Sequence, residues 1–296
     1  MMMVAMDTKA SAYTYKLIGV GGAPAVLQGN NDSGQMVGYF GGGGFLYSGG
    51  DTVQAFRHPR GNISTFAHGI NEQGIISGSF ITDMDSGVIG PIKTHGFTRA
   101  GTVFDDVEDR PKSLATYVIG LNGARHLVGY YQDPSGLHGF VFDGHGYSTI
   151  GPDPASTETK AWGINDSGHI VGHFSDDSGV HGFTFDGKSY LTLDYPGASA
   201  TMAFGINALG HVVGAYHRNS RNYAFLYLSG NYSTLDDPPN TETMHMFAYG
   251  INNVGQIVGY ITTKNSARDA FIADPAGKGD RRDTIRIDTR TIELDR

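Results

Sequence analysis

Histidine is the residue type in this sequence that most readily suggests metal or acid–base chemistry. Twelve histidines occur in 296 residues, and His169 and His173 have the i, i+4 spacing that two zinc ligands use on a helix. Both lie in a segment with strand character, where four residues at about 3.3 Å each would separate the side chains by about 13 Å. One tetrahedral ion cannot bridge that distance. We therefore predict no metal site from this pair, and no cofactor.

Acidic clusters are the second group of residues with possible metal chemistry. They are found at 105–109, 176–177 and 236–237. Their carboxylates could bind calcium, but none has the twelve-residue EF-hand register. We interpret them as solvated loop charges.

The most informative residues lie beside a short sequence motif that occurs six times and that we call the phrase. In each copy an Asn precedes a Gly by seven residues, and the Asn are residues 31, 71, 122, 165, 207 and 252. Just before the Gly-x-Asn of the phrase, the residue differs every time: Gln28, His68, Ile119, Trp162, Phe204 and Tyr249. Two residues earlier, on the same face of a strand, are Val26, Phe66, Tyr117, Lys160, Met202 and Phe247. If the six repeats form a ring of small sheets and this strand is the innermost one of each sheet, these positions line a cavity along the axis of the ring.

Aromatic rings mixed with a few polar groups are typical of a small-molecule pocket. The predicted ligand-binding residues are Gln28, Phe66, His68, Tyr117, Lys160, Trp162, Phe204, Phe247 and Tyr249. Packing between neighbouring blades would explain the same residues equally well. If the site is catalytic, His68 and Tyr249 are the best candidates for proton transfer. No nucleophile-elbow, Walker or zinc-protease pattern accompanies them.

The elements that must position these residues are short strands. Successive Asn are 40 to 51 residues apart, a spacing that suits four strands and their turns. One copy runs through residues 170–174, 181–185 and 190–194, with the hairpin signal Asp186-Gly187 before the last strand. We predict a single all-β domain over residues 1–296: a six-bladed β-propeller with four antiparallel strands per blade. Its repeat units span about 29–68, 69–119, 120–162, 163–204, 205–249 and 250–290.

Ring closure should also leave a trace at the ends of the chain. Residues 13–18 resemble a fourth strand placed ahead of the first repeat, whereas the last repeat lacks an obvious fourth strand. We predict that residues 13–18 complete the sixth blade. Residues 283–288 alternate as a strand should and compete for the same position.

Fixed Asn residues in turns usually bond nearby backbone groups, so we interpret the six Asn as structural. Asn31 and Asn165 also match the glycosylation sequon, but structural residues cannot carry sugar. Asn62 and Asn231 are then the remaining plausible acceptors.

The phrase resembles the HAF family, or "probable extracellular repeat" group, in which Gly-Ile-Asn-x-x-Gly-x-Ile-Val-Gly-Tyr precedes a His-Gly-Phe segment. The resemblance covers roughly residues 12–275; Arg125 replaces the middle Gly of the third copy and Asn30 the Ile of the first. It implies repeated β-structure and, often, secretion, but no defined activity. Residues 1–9 lack the pattern of a secretory signal, so the sequence leaves the compartment open.

Composition restricts the partners. A net charge of −8 gives no basic stripe, which argues against nucleic acid, and no run of 18 apolar residues predicts a membrane span. No cysteine is present, which excludes disulfides and thiolate chemistry.

Three hypotheses follow. The first is a monomeric binding module that takes a small molecule or glycan in the axial cavity. The second is a lyase, isomerase, cyclase or hydrolase that uses the same cavity. The third is a protein-interaction scaffold that uses loops 81–94 and 105–115.

Overall fold

A computed structural model describes residues 13–20, 23–83, 92–152, 156–264, 268–276, 284–287 and 292–294. These residues form β-strands joined by turns and contain no helix. Accordingly, no helix long and apolar enough to cross a membrane occurs among them.

Antiparallel pairing of strands that follow one another in sequence divides the sheets into six four-stranded units. Unit 1 contains β2 (Ala25–Asn30), β3 (Met36–Phe40), β4 (Gly43–Tyr47) and β5 (Val53–Phe56). Unit 2 contains β6 (Ser64–Ile70), β7 (Ile76–Thr82), β8 (Lys93–Ala100) and β9 (Val103–Val107). Unit 3 contains β10 (Ala115–Leu121), β11 (Leu127–Asp133), β12 (Gly136–Phe142) and β13 (Tyr147–Ile150).

The second half repeats this plan. Unit 4 contains β14 (Glu158–Ile164), β15 (Ile170–Asp176), β16 (Gly179–Phe185) and β17 (Tyr190–Leu193). Unit 5 contains β18 (Ala200–Ile206), β19 (Val212–Arg218), β20 (Arg221–Leu228) and β21 (Asn231–Thr234). Unit 6 contains β22 (Thr243–Ile251), β23 (Ile257–Thr263), β24 (Arg268–Pro275) and β1 (Tyr13–Val20). Repeats counted from the Gly of the phrase begin inside each first strand, so the paired units start a few residues earlier.

The first strand of the chain belongs to the last unit. β1 pairs antiparallel with β24, from Tyr13 opposite Pro275 to Ile18 opposite Ala270. The rival segment lies one position further out, because β25 (Thr284–Ile287) pairs parallel with β1 instead of with β24. A short strand, β26 (Ile292–Leu294), likewise pairs parallel with β5.

The core lies within and between the units. The third strand of each unit contributes a fully buried Phe, at positions 45, 97, 140, 183, 225 and 271. Each of these Phe pairs with the last Gly of the phrase on the second strand, as Phe183 does with Gly172. A Cβ on Gly172 would lie 2.1 Å from the Lys160 carbonyl oxygen and 2.7 Å from the Phe183 ring, so only Gly fits this position.

The six Asn hold each turn and also connect the units. The Asn165 side-chain oxygen accepts hydrogen bonds from the backbone N–H groups of Ser167 and His169, 3.1 and 2.9 Å away. Its Nδ2 donates to the carbonyl of Asn207 at 3.0 Å. The same donation runs from Asn31 to Asn71, from Asn71 to Asn122, from Asn122 to Asn165, from Asn207 to Asn252 and from Asn252 back to Asn31. The predicted turn role is therefore only half of what these Asn do; the other half is a cycle of inter-unit bonds, which we call the Asn ring.

Candidate functional site

Each of the six variable residues is the extra residue of a β-bulge. In unit 1, Leu27 pairs with Gly38 and Gly29 pairs with Val37, so Gln28 has no partner on β3. The same register shift skips His68, Ile119, Trp162, Phe204 and Tyr249 in the other first strands. A bulge redirects the side chain of its extra residue. Here all six bulge residues point into one cavity.

Close backbone approach explains the Gly that follows each bulge. A Cβ on Gly163 would lie 2.8 Å from the carbonyl oxygen of Phe204, the bulge residue of the next unit. The same approach brings Gly205 against the carbonyl of Tyr249, and Gly250 against that of Gln28. Adjacent first strands therefore meet backbone to backbone around the cavity.

Two small cavities lie next to each other where the first strands meet. The first, which we call the bulge cavity, has a volume of about 90 Å³ and is lined by the bulge residues and the two residues after each. The second, of about 80 Å³, is lined by five of the six residues of the Asn ring, all but Asn31, and by residues next to them. Both cavities are lined by one shared layer of five aliphatic residues and one polar residue: Ile70, Leu121, Ile164, Ile206, Ile251 and Asn30.

Aromatic side chains fill much of the bulge cavity. The ring centroid of Phe204 lies 4.6 Å from that of Tyr249 and 5.0 Å from that of Trp162, and Trp162 and Tyr249 are 5.8 Å apart. Pockets that enclose a drug-sized ligand measure about 300–1,000 Å³. At about 90 Å³ the bulge cavity is a floor on which a ligand can rest and is too small to enclose a sugar ring.

The predicted site residues occupy two layers. Gln28, His68, Trp162, Phe204 and Tyr249 line the bulge cavity, together with Ile119. The residues predicted two positions earlier do not line it: Phe66, Tyr117, Lys160 and Phe247. Same-face contacts nevertheless connect the layers, since the rings of Phe66 and His68 stack at 6.1 Å and those of Phe247 and Tyr249 at 6.5 Å.

Sequence reasoning missed the residues that complete the outer layer. On the second strands, Tyr39, Tyr130, His173 and Tyr260 stand directly opposite Val26, Tyr117, Lys160 and Phe247. Tyr117 stacks on Tyr130 at 4.6 Å, and Phe247 on Tyr260 at 5.0 Å. Each of these missed residues immediately follows the last Gly of the phrase, where the corresponding residues in units 2 and 5 are Ser79 and Ala215. That variable position was the available signal.

We call the surface formed by the outer layer the aromatic mouth. It is defined by Tyr39, Phe66, Tyr117, Tyr130, Lys160, His173, Phe247 and Tyr260, above the bulge residues. Burial, with contributions from Tyr117, Glu158 and Tyr39, raises the pKa of the Tyr130 hydroxyl, so groups from units 1, 3 and 4 converge there. Burial and neighbouring tyrosines, Tyr260 foremost, raise the pKa of Tyr249 well above its ordinary value.

Both histidines of this region are held neutral. Burial lowers the pKa of His68 to about 3, and burial with the nearby Lys160 lowers that of His173 to about 3. The Nδ1 atom of His68 contacts Gln28 Oε1, which can only accept a hydrogen bond, so Nδ1 carries the proton and Nε2 is an acceptor. The indole N–H of Trp162 donates to Nδ1 of His173 at 3.1 Å. The region therefore offers neutral hydrogen-bonding groups in place of imidazolium charge.

One ion pair lies beside the mouth. The Lys160 ammonium pairs with the Glu158 carboxylate and sits 5.3 Å from the centroid of the Tyr130 ring. Lys160 is thus a fixed, compensated cation, and a ligand would meet it together with Glu158.

The acidic cluster at 105–109 is occupied by ion pairs, and its first two acidic residues lie in strand β9 and not in a loop as the sequence predicted. Asp106 pairs with His58 at 2.8 Å, and Asp109 pairs with His95 at 2.7 Å. Within the described residues, no group of three or more His, Asp or Glu is arranged to hold a metal ion. Of the two loops proposed for protein contacts, 105–115 is described, whereas most of 81–94 lies outside the described residues.

Comparison with known proteins shows the fold. No protein-family model and no curated protein sequence matches this chain, so the resemblance to the HAF family depends on the phrase alone. A solved protein provisionally assigned as a gluconolactonase is 13% identical, with a TM-score of 0.54, over 91% of this chain and 94% of its own. TolB from Acinetobacter baumannii is 8% identical, with a TM-score of 0.53, over 89% of this chain and 66% of its own.

A third similar structure is the β-propeller domain of the Trilobed protease from Pyrococcus furiosus. It is 13% identical, with a TM-score of 0.47, over 69% of this chain and 63% of its own. At such identities a likeness in structure establishes architecture alone, because one fold hosts many functions. The chain is an all-β protein with a propeller fold.

Proposed function

We propose that the protein is a six-bladed propeller, closed by residues 13–18, that binds a small molecule or glycan at the aromatic mouth. Six four-stranded units, the pairing of β1 with β24 and the return bond from Asn252 to Asn31 support six blades in a closed ring. The observation that carries the binding function is the set of aromatic rings on two adjacent strands above a floor of bulge residues.

Stacking is the main interaction that this surface offers. Tyr117 with Tyr130, and Phe247 with Tyr260, present paired rings from units 3 and 6, against which the apolar face of a sugar or a planar ring can lie. Tyrosine hydroxyls and the Nε2 atom of neutral His68 then supply directional hydrogen bonds to ligand hydroxyl groups. Because the bulge cavity is small, the ligand sits above it and contacts its floor.

The geometry favours a binding module over an acid–base enzyme. General acid–base catalysis works best when the pKa of the catalytic group lies near the operating pH. Burial moves the pKa of His68 down to about 3 and that of Tyr249 well above its ordinary value, in both cases away from neutrality. His68 is therefore a weak base and Tyr249 a weak acid, although both remain good hydrogen-bonding groups.

The fluorescence of Trp162, the single Trp of the chain, gives a direct test. It lies in the floor of the mouth, with its indole N–H bonded to His173. Titration with a panel of mono- and oligosaccharides and planar aromatic compounds should identify a ligand that changes the emission saturably. Tyr117→Ala should then weaken binding about fivefold or more, since loss of one stacked ring is worth about 1–3 kcal/mol.

Tyr190→Ala is the matched control. Tyr190 stacks on Phe185 at 4.3 Å on the outermost strand of unit 4, far from the bulge cavity. Its loss should leave affinity unchanged. Two results would refute the mouth as the site. In the first, the affinity for the ligand falls equally in both variants. In the second, some compounds of the panel raise the melting temperature but none of them alters Trp162 emission.

A further inference from the structure

Two outermost strands of the sheets carry an additional strand from the C-terminal segment. β25 lies parallel to β1 on the side away from β24, with Leu17 opposite Thr284 and Val20 opposite Ile287. β26 lies parallel to β5 on the side away from β4, with Val53 opposite Ile292 and Ala55 opposite Leu294. Each addition turns a four-stranded unit into a five-stranded sheet.

The two added strands have nearly the same sequence. Residues 284–288 read Thr-Ile-Arg-Ile-Asp, and residues 291–295 read Thr-Ile-Glu-Leu-Asp. Both follow the pattern Thr-Ile-charged-aliphatic-Asp, which has the β-branched residues and alternation that strands favour. The strand portion of each copy is the part that pairs with an outer edge.

The location of these edges is specific. β1 comes from the start of the described chain and completes unit 6, while β5 completes unit 1. Units 6 and 1 are the pair linked by the Asn252-to-Asn31 bond, and they contain the first and last strands of the four-stranded units. We call this junction, which the chain itself crosses once between β1 and β2, the seam. Among the described strands, the outermost members of the other four units, β9, β13, β17 and β21, have no strand on their outer side.

An outermost strand exposes unpaired backbone N–H and C=O groups, which makes it a template for strand addition. We propose that the outer edges of β1 and β5 form a strand-accepting surface whose occupant is the C-terminal segment of the same chain. Its two Thr-Ile copies bind one edge each and so tie unit 6 to unit 1 across the seam. The recognised ligand is an extended peptide with the pattern Thr-Ile-charged-aliphatic-Asp.

Proline substitution in the full chain tests this surface. Proline removes a backbone N–H and disrupts an added strand, so Ile285→Pro/Ile292→Pro should release both copies. We expect outward-facing amides of residues 17–20 and 53–55 to exchange at least tenfold faster by NMR hydrogen exchange, with the inner strands unaffected. Ile285→Val/Ile292→Val keeps the N–H groups, the strand propensity and a β-branched apolar residue in the pattern and is the control, with exchange expected within twofold of the parent.

Adding a synthetic peptide of residues 281–296 to the proline variant should restore protection on both edges with one peptide bound per chain. A scrambled peptide should not. The single variants separate the two contacts, because Ile292→Pro should expose only residues 53–55. Unchanged exchange in the double variant, equal rescue by the scrambled peptide, or a dimer of the parent that dissociates in the proline variant would each overturn binding within one chain.

Discussion

Replacing the Asn of the ring by Asp tests whether the ring is closed. Asp keeps the side-chain oxygen that accepts from the turn but loses the Nδ2 donor to the next unit. In Asn165→Asp the carbonyl of Asn207, now 3.0 Å from a donor, would face a carboxylate oxygen. Asn252→Asp makes the same change at the only link in the ring that joins distant parts of the sequence, from residue 252 to residue 31.

The expected cost can be worked from the bonds that are lost. One net hydrogen bond is worth about 0.5–1.5 kcal/mol, and a buried acceptor left without a donor costs about 1–3 kcal/mol more. Asn165 and Asn252 are 5% and 4% exposed, so neither site is rescued readily by solvent. We expect each substitution to reduce the free energy of unfolding by about 2–4 kcal/mol. In a closed ring the two losses should be nearly equal.

Urea unfolding followed by Trp162 fluorescence gives these free energies. Asn231→Asp, on the exposed strand β21, makes the same chemical change and controls for added charge, with an expected effect within about 0.5 kcal/mol. If Asn252→Asp behaves like this control while Asn165→Asp is destabilising, units 6 and 1 are not joined as described. If neither differs from the control, the hydrogen-bond argument itself fails.

Three further predictions concern backbone fit and pH. Gly172→Ala should reduce the free energy of unfolding in urea by more than about 3 kcal/mol, because the new Cβ would lie 2.1 Å from the Lys160 carbonyl oxygen. Gly168 has a φ of +80° and open space around it, so Gly168→Ala should reduce it by only about 1–2 kcal/mol. Equal losses in the two variants would contradict this reasoning. Arg125, with φ of +63° where the other copies have Gly, should give a gain of about 1 kcal/mol as Arg125→Gly; a lower melting temperature would count against it. Because burial lowers the pKa of His68 to about 3, the unfolded chain binds a proton between about pH 3 and 6.5 that the folded chain does not bind. The contribution of His68 to the free energy of unfolding is therefore complete above about pH 6.5 and is lost as the pH falls toward 3. His68→Gln should therefore flatten the fall in melting temperature between pH 6 and 4, and an unchanged slope would refute the burial argument.

Much of the architecture is predictable because its signals are local or periodic. Asp186-Gly187 is a turn signal that can be recognised within four consecutive residues, and the structure connects β16 to β17 there. The strand at residues 13–18 could be predicted from a mismatch in number, since one strand was left over at the start of the chain and one was missing at its end.

The missed features depend on two strands or two units at once. A bulge exists only relative to its partner strand, so nothing within Ala161-Trp162-Gly163 shows that Trp162 is the unpaired residue. The inter-unit bond of Asn165 is equally hidden, because its acceptor lies 42 residues away. Tyr130 was missed since the residue after the last Gly was treated as part of the fixed phrase, although it differs among copies.

The bulge explains how one phrase can repeat for construction and still leave room for function. Residues paired on both sides of a strand are constrained by their neighbours, as Ala161 is between Gly172 and the next unit. The bulge residue has no partner in the strand ladder, so Gln, His, Ile, Trp, Phe and Tyr can occupy this position in different units without breaking the ladder. The fixed Gly beside it is needed because neighbouring backbones approach there, and that approach brings the six variable residues to one cavity. A change in ligand preference should therefore arise most easily at the bulge residues and at the residues that follow the last Gly, with little cost to stability.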